Sequence, residues 1–130
     1  MLRAAIAVSL VLALPASAAA KGFKTPSGNI HCDAFSKAFL RCDVLQVDDP
    51  PPRPKSCELD WGNAFTLSRR GKGRRLCAGD TVADPDHDVL AYGKTWRSHG
   101  FACKSRRANV RCTNGAGHGF TLSRARQTLF

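Results

Sequence analysis

Ala64 to Arg69 reads AFTLSR, and Gly119 to Arg124 reads GFTLSR. In both places the Phe stands eight residues after a cysteine, Cys57 in the first and Cys112 in the second. Within each stretch apolar and polar residues alternate: Phe65 and Leu67 point to one face of an extended strand, Thr66 and Ser68 to the other. One strand written twice, with Phe and Leu inward and Thr, Ser and Arg outward, predicts a quasi-repeated all-β domain. A repeated binding loop is the alternative, but alternation accounts for the pattern without a ligand.

The same period-two reading extends to the flanking hairpins. Ile30 and Cys32 share a face, as do Leu40, Cys42 and Val44, on either side of a short link at Ser36 to Ala38. If Cys32 bonds Cys42 across this hairpin, Asp33 faces Arg41 and His31 faces Asp43 on the outer face, pairs that stabilise a sheet without any catalytic role. Residues 57–82 read as two strands around the turn RGKGR, where glycine permits positive φ, bracketed by Cys57 and Cys77. GFACKS and ANVRCTN form a third hairpin, closed by Cys103 and Cys112. Of the fifteen pairings open to six cysteines, the consecutive one is favoured because each pair brackets a plausible hairpin. Each closed loop is worth about 3 kcal/mol in the chain-entropy model. Regularly spaced short strands with Gly-rich turns predict a small disulfide-stapled sandwich or barrel.

The first twenty residues, MLRAAIAVSLVLALPASAAA, set Arg3 before an apolar run from Ala4 to Leu14, then a Pro and small residues in A-x-A order. This is the pattern of a signal peptide cleaved after Ala18 or Ala20. Residues 1–20 are expected to leave and residues 21–130 to form a single secreted or periplasmic domain; the run itself is too short to span a bilayer, and no transmembrane segment is expected in the mature chain because no later apolar stretch is long enough. Without Arg3 the chain keeps nineteen Lys and Arg against ten Asp and Glu, a surplus that favours polyanions or acidic protein surfaces and carries no information about fold. The six cysteines lack a C-x-x-C spacing, which removes the main support for a zinc ribbon or a thioredoxin-like motif. An even count in an exported chain reads as structural disulfides.

Three features could carry chemistry. RRGKGRR places Arg69, Arg70, Lys72, Arg74 and Arg75 on one hairpin tip, a candidate anion-binding site whose bland counterpart is a solubilising turn. Lys104 facing Arg111 is a like-charge pair that costs stability and hints at an external anion. DPDHD, Asp84 to Asp88, imitates a calcium loop but has Val89 where Gly and Thr95 where Glu are required, so no metal is expected. His87, His99 and His118 are the available acid–base groups. His118, in GAGHGF, is the most site-like, although glycines around a histidine are ordinary turn chemistry. No G-x-S-x-G or H-E-x-x-H is present. Few aromatics lie among the basic residues, against a stacking groove for single-stranded nucleic acid. The VDDPPPRPKSC segment is an extended connection, since proline lacks the amide donor; a ligand for a polyproline groove is its alternative reading.

The blocks TPSGNIHC (Thr25 to Cys32), RCDV, PPRPKSCELDWG, CAGDTV, LAYGKTW, GFACKS and GHGFTLSR (Gly117 to Arg124) together resemble a family of small exported bacterial proteins of unknown function. That family runs from a PSGNI-x-C opening to a GHGF-x-LSR end. The resemblance covers nearly all of the mature chain and implies one exported domain with the cysteine framework above. It supplies no catalytic residue. The expectation is therefore a non-catalytic binding protein without a cofactor, an inhibitor or protein-interaction module, with Trp61, Tyr92 and Trp96 as candidate apolar anchors. The alternatives are a binder of anionic envelope polymers or nucleic acid through the basic tip, and a hydrolase such as a ribonuclease using His118.

Overall fold

Cys32 bonds Cys42, Cys57 bonds Cys77 and Cys103 bonds Cys112, the consecutive pairing. The computed structural model describes residues 8–13, 22–35 and 38–130. The signal-peptide cleavage points and Ser36 and Lys37 of the first hairpin link lie outside these residues. Among the described residues every regular element is a strand.

The first sheet holds six strands: β1 (Phe23–Lys24), β2 (Ile30–Phe35), β3 (Phe39–Val44), β4 (Ala64–Ser68), β5 (Arg74–Arg75) and β6 (Asp88–Val89), in the order β5-β4-β3-β2-β1-β6. The second holds β7 (Thr95–Ser98), β8 (Phe101–Ser105), β9 (Val110–Thr113), β10 (Gly119–Leu122) and β11 (Gln127–Leu129), in the order β11-β10-β9-β8-β7. All pairings are antiparallel except β1 with β6. The register expected for the first hairpin is present, with Cys32 opposite Cys42, Asp33 opposite Arg41 and His31 opposite Asp43.

The repeat is deeper than the quoted strand. In the first sheet one row of directly opposed residues runs Phe23, Cys32, Cys42, Phe65, Arg75 across β1 to β5. In the second it runs Trp96, Cys103, Cys112, Phe120, Leu129 across β7 to β11. The rows lie on one another: Phe23 and Trp96 ring centroids are 5.2 Å apart, Phe65 and Phe120 6.2 Å, and the sulfurs of Cys42 and Cys112 3.9 Å. One end of the sandwich gathers Ile30 and Leu45 with Val110 and Leu122, so equivalent strands run in opposite directions, as a pseudo-two-fold axis between the sheets requires. Among the described strands β6 alone has no counterpart. The structural partner of Cys112 is thus Cys42, which faces Phe65 as Cys112 faces Phe120. The shared eight-residue spacing from Cys57 is a coincidence of the proline-rich insertion.

The two central disulfides bridge directly opposed residues with Cα separations of 4.1 and 4.0 Å, the close approach of a non-hydrogen-bonded antiparallel pair. Their sulfurs, with the buried Phe65, Phe101, Phe120, Leu40, Leu67 and Leu122, form the core. The Cys57–Cys77 bond lies outside this cluster and ties the chain before β4 to the chain after β5.

Replacing Cys32 and Cys42 by Ala is expected to destabilise more than replacing Cys57 and Cys77, although the latter pair closes the longer loop, 20 against 10 residues. Both lose the cross-link contribution of about 3 kcal/mol, and the central pair adds a core cavity. Urea unfolding of the two double variants measures the order. Phe65→Ala and Phe120→Ala, as symmetry mates, should each cost about 3–5 kcal/mol.

Candidate functional site

The outer face of the first sheet, where Asp33 faces Arg41 and His31 faces Asp43 as the register requires, is covered. Residues 80–88 cross it as a strap and bury Arg41, Asp43, His31 and His87. Arg41 donates from Nε and Nη2 to the two oxygens of Asp43, at 2.9 and 3.1 Å, and from Nη1 to Asp80 Oδ1 at 2.8 Å. Its Nη2 also reaches the Asp80 carbonyl at 2.9 Å, and the Val82 amide donates to Asp43 Oδ2 at 3.0 Å. Burial opposes the Arg41 charge, but hydrogen bonds to Asp43 and Asp80 outweigh it and hold the guanidinium pKa above its ordinary value. The hydrogen bond from Arg41, and then its charge, keep the Asp80 carboxyl below the usual range.

Further along the strap, His31 and His87 meet through their Nδ1 atoms at 3.0 Å. The Asp84 amide also points at His31 Nδ1, at 3.4 Å, which makes that nitrogen the acceptor and His87 the donor. His87 Nε2 lies 3.7 Å from Asp33, and Lys24 Nζ donates to the Pro85 carbonyl. DPDHD is therefore a clasp: Asp84 accepts the Asp86 amide within its own turn, and His87 turns inward. Burial, and then the facing His87, push the His31 pKa below its ordinary 6.5.

The basic tip is docked on the second sheet. Asn114 Nδ2 donates to the carbonyls of Ser68 and Gly71, each at 2.9 Å, while its Oδ1 accepts the amides of Ala116 and His118. One buried side chain thus fastens the 69–73 turn to the 114–118 loop. Neither Gly71 nor Gly73 has positive φ, so the expected reason for these glycines is corrected. Gly73 is small because a Cβ there would run into the Gly119 carbonyl, and its amide donates to the Phe130 carbonyl. Arg69, Arg70 and His99 line a concavity of about 430 Å³ beside this junction. Arg70, Lys72 and Arg74 are exposed, whereas Arg75 is half-buried with its guanidinium 5.9 Å from the Phe65 ring centre. His118 is half-buried, and the hydrogen bonds described for it run through its backbone. The residue that organises GAGHGF is Asn114, whose signal was an Asn at the head of a Gly-rich turn.

At the opposite end a cleft of about 640 Å³ opens between the sheets, floored by Ile30, Leu45, Val110 and Leu122. Arg124 and Asp48 bridge near it at 2.6 Å, and Arg107 lies over the Tyr92 ring at 5.1 Å. Of the proposed apolar anchors, Tyr92 is exposed, Trp61 is half-buried, and Trp96 is buried against Phe23 and unavailable to a partner.

Charge is divided between the halves. From Val89 to Phe130 the sequence carries eight Lys and Arg and no Asp or Glu; all ten carboxylate side chains lie between Asp33 and Asp88. The overall surplus hid this partition. The sulfurs of Cys32, Cys42, Cys103 and Cys112 lie within 4.8 Å of one another, but they are joined in two bonds and act as a staple. The disulfides fit a secreted or periplasmic location, and no helix among the described residues is long and apolar enough to cross a membrane.

Residues 6–130 match the profile of a family of unknown function, DUF6636. No curated protein and no solved structure shows detectable similarity.

Two predictions follow from these contacts. A depressed folded-state pKa at His31 means that the unfolded chain binds its proton first as pH falls, so stability is full above pH 6.5 and declines below it towards the folded value. Urea midpoints above and below pH 6.5 should show this decline, and His31→Asn should flatten it. Asn114→Ala should release the basic tip, raising amide exchange at Gly71 and Gly73 while costing about 1–3 kcal/mol for the carbonyls and amides left unpaired.

Proposed function

Because the chain belongs to the DUF6636 family, whose function is unknown, its role rests on its own surface, and we propose that it is a secreted or periplasmic protein-interaction module, without catalysis, whose partner presents acidic groups. The observation that carries this reading is the acid-free stretch from Val89 to Phe130, which makes up the whole second sheet. A surplus of surface cations attracts acidic partners and steers their approach. The rigid frame helps as well: strands locked by disulfides lose little freedom on association.

A second reading, a binder of anionic polymers through the tip, is favoured by one observation. Asn114 holds the turn from two sides, so Arg69, Arg70, Lys72 and Arg74 are presented on an ordered backbone next to the concavity that His99 lines. His118 as the base of a hydrolase has no such support.

Titration with poly-L-glutamate and with alginate, a polyuronate, separates the readings. The interaction module should hold poly-L-glutamate at low salt and lose it as salt screens the surface, with Arg69→Ser/Arg70→Ser changing affinity less than threefold. Loss of both probes in that variant would instead assign binding to the tip.

A further inference from the structure

We propose that the cleft between the sheets, at the end of the sandwich away from the basic tip, binds a small amphipathic carboxylate: an acid group carried on an apolar body. The inference goes beyond the protein-interaction reading, which rests on the charge of the second sheet, and either can fail without the other.

The pseudo-two-fold explains why this end is open. Ile30 stands two residues before Cys32 as Phe101 stands two before Cys103, and Val44 two after Cys42 as Asn114 two after Cys112. At the tip end the Phe101 ring is buried, and Asn114 reaches across to the carbonyls of Ser68 and Gly71. At the cleft end the ring gives way to the smaller Ile30 side chain, and the crossing amide to Val44, which has no polar group to span the gap. The sheets are joined here to one side instead, where the Asp48 amide donates to the Arg124 carbonyl at 3.0 Å and Arg124 Nε to Asp48 Oδ1 at 2.6 Å. Beside this join about 640 Å³ stays open, within the roughly 300–1,000 Å³ typical of small-ligand pockets.

The lining decides the occupant. On the wall from the first sheet, Asn29 Nδ2 donates to the Gln46 carbonyl and Asn29 Oδ1 accepts the Gln46 amide, at 3.1 and 2.8 Å, so this wall is fixed before anything binds. The wall from the second sheet carries Arg106 and Arg107, in the loop between β8 and β9, and Arg124. Asp48 is the acid of the lining, and Arg124 takes it. Arg106 and Arg107 are exposed and have no carboxylate partner among the described residues. Apolar surface is supplied by Leu45 and Tyr92, 47 and 44 % exposed, above the buried Ile30, Val110 and Leu122; the Arg107 guanidinium lies over the Tyr92 ring. An inorganic anion would use the arginines alone, and an uncharged apolar body Leu45 and Tyr92 alone. An amphipathic carboxylate uses both, gaining burial for its body and charge-assisted hydrogen bonds for its acid group, while a cationic amphipath is repelled.

The probes are octanoate and phenylbutyrate, with octanol and octylammonium as their uncharged and cationic counterparts, titrated into isotope-labelled oxidised protein and followed by amide shifts. Both acids should give saturable shifts at Ile30, Leu45, Val110 and Leu122, octanol should bind about tenfold more weakly than octanoate, and octylammonium should give none. Arg106→Ser/Arg107→Ser should weaken octanoate about tenfold, as the loss of exposed ion pairs implies, and leave octanol unchanged. Leu45→Gln, at an exposed position where the fold is not at stake, should weaken both. Arg69→Ser/Arg70→Ser should change neither. Absence of saturable shifts with both acids would overturn the site, as would equal binding of octanoate and octylammonium, unaltered octanoate affinity in Arg106→Ser/Arg107→Ser, or shifts confined to Arg69 to Arg75. Poly-L-glutamate bound where both acids fail would overturn the cleft and spare the module reading; the acids bound where poly-L-glutamate fails would do the reverse.

Discussion

The contact of one disulfide with another, Cys42 against Cys112 at 3.9 Å, is the point about which the rest of the molecule is arranged. Each bridge fixes its hairpin with Cys opposite Cys, and a strand slipped by one residue would turn every core side chain outward. Stacking the bridges then sets the two sheets against each other, with an aromatic pair on either side: Phe23 on Trp96, Phe65 on Phe120. A small domain has little apolar surface to bury. Here the sulfurs fill the middle of the core as well as cross-linking it.

With the interior held in common, the halves differ where they face outward. The first sheet matches its buried Arg41 with Asp43 and covers both with a strap that adds the exposed Asp80 and is held by polar contacts: the His31–His87 pair, the Asp43 carboxylate and the Pro85 carbonyl. A buried cation tolerates removal from water only when its donors are matched, and four acceptors match this one. The corresponding Arg111 remains at the surface, stacked on Phe130. The same framework is closed on one side by its own chain, while on the other Arg97 and Lys104 are exposed among the described residues.

Much of this was legible in the residues. Alternation identified the inward positions of β2, β3, β4 and β10, and the Cys32–Cys42 bracket gave the correct register, because a hairpin is local and two cysteines on one face leave one way to meet. What escaped was long-range. His31 and His87 are 56 residues apart, and Asn114 and Ser68 46; no periodicity signals such partners, so neither the strap over the outer-face pairs nor the role of Asn114 was legible. The repeat of a two-cysteine hairpin followed by the FTLSR strand was legible too, while the eight-residue spacing from Cys57 carries no structure, since the proline-rich insertion happens to place Cys57 at the distance Cys112 has by pairing. The charge partition lay in the sequence throughout, but a net total averages over the boundary at Asp88 that separates the halves.

The disulfides all close within a half: Cys32–Cys42 and Cys57–Cys77 before the strap, Cys103–Cys112 after it. Strands adjacent in sequence are also adjacent in each sheet, except for β6, which lies on β1; the longest connection between neighbouring strands is the Pro-rich one between β3 and β4. Contacts within a sheet therefore close short loops, and the entropy of distant contact is concentrated in the meeting of the two sheets. A chain emerging N-terminus first can oxidise each cysteine with a partner already beside it, before the opposite sheet has been made. Sheet docking then seals the central sulfurs at zero exposure, beyond the reach of attacking thiolates. Short loops thus favour the consecutive pairing, and the finished fold shields the central bridges.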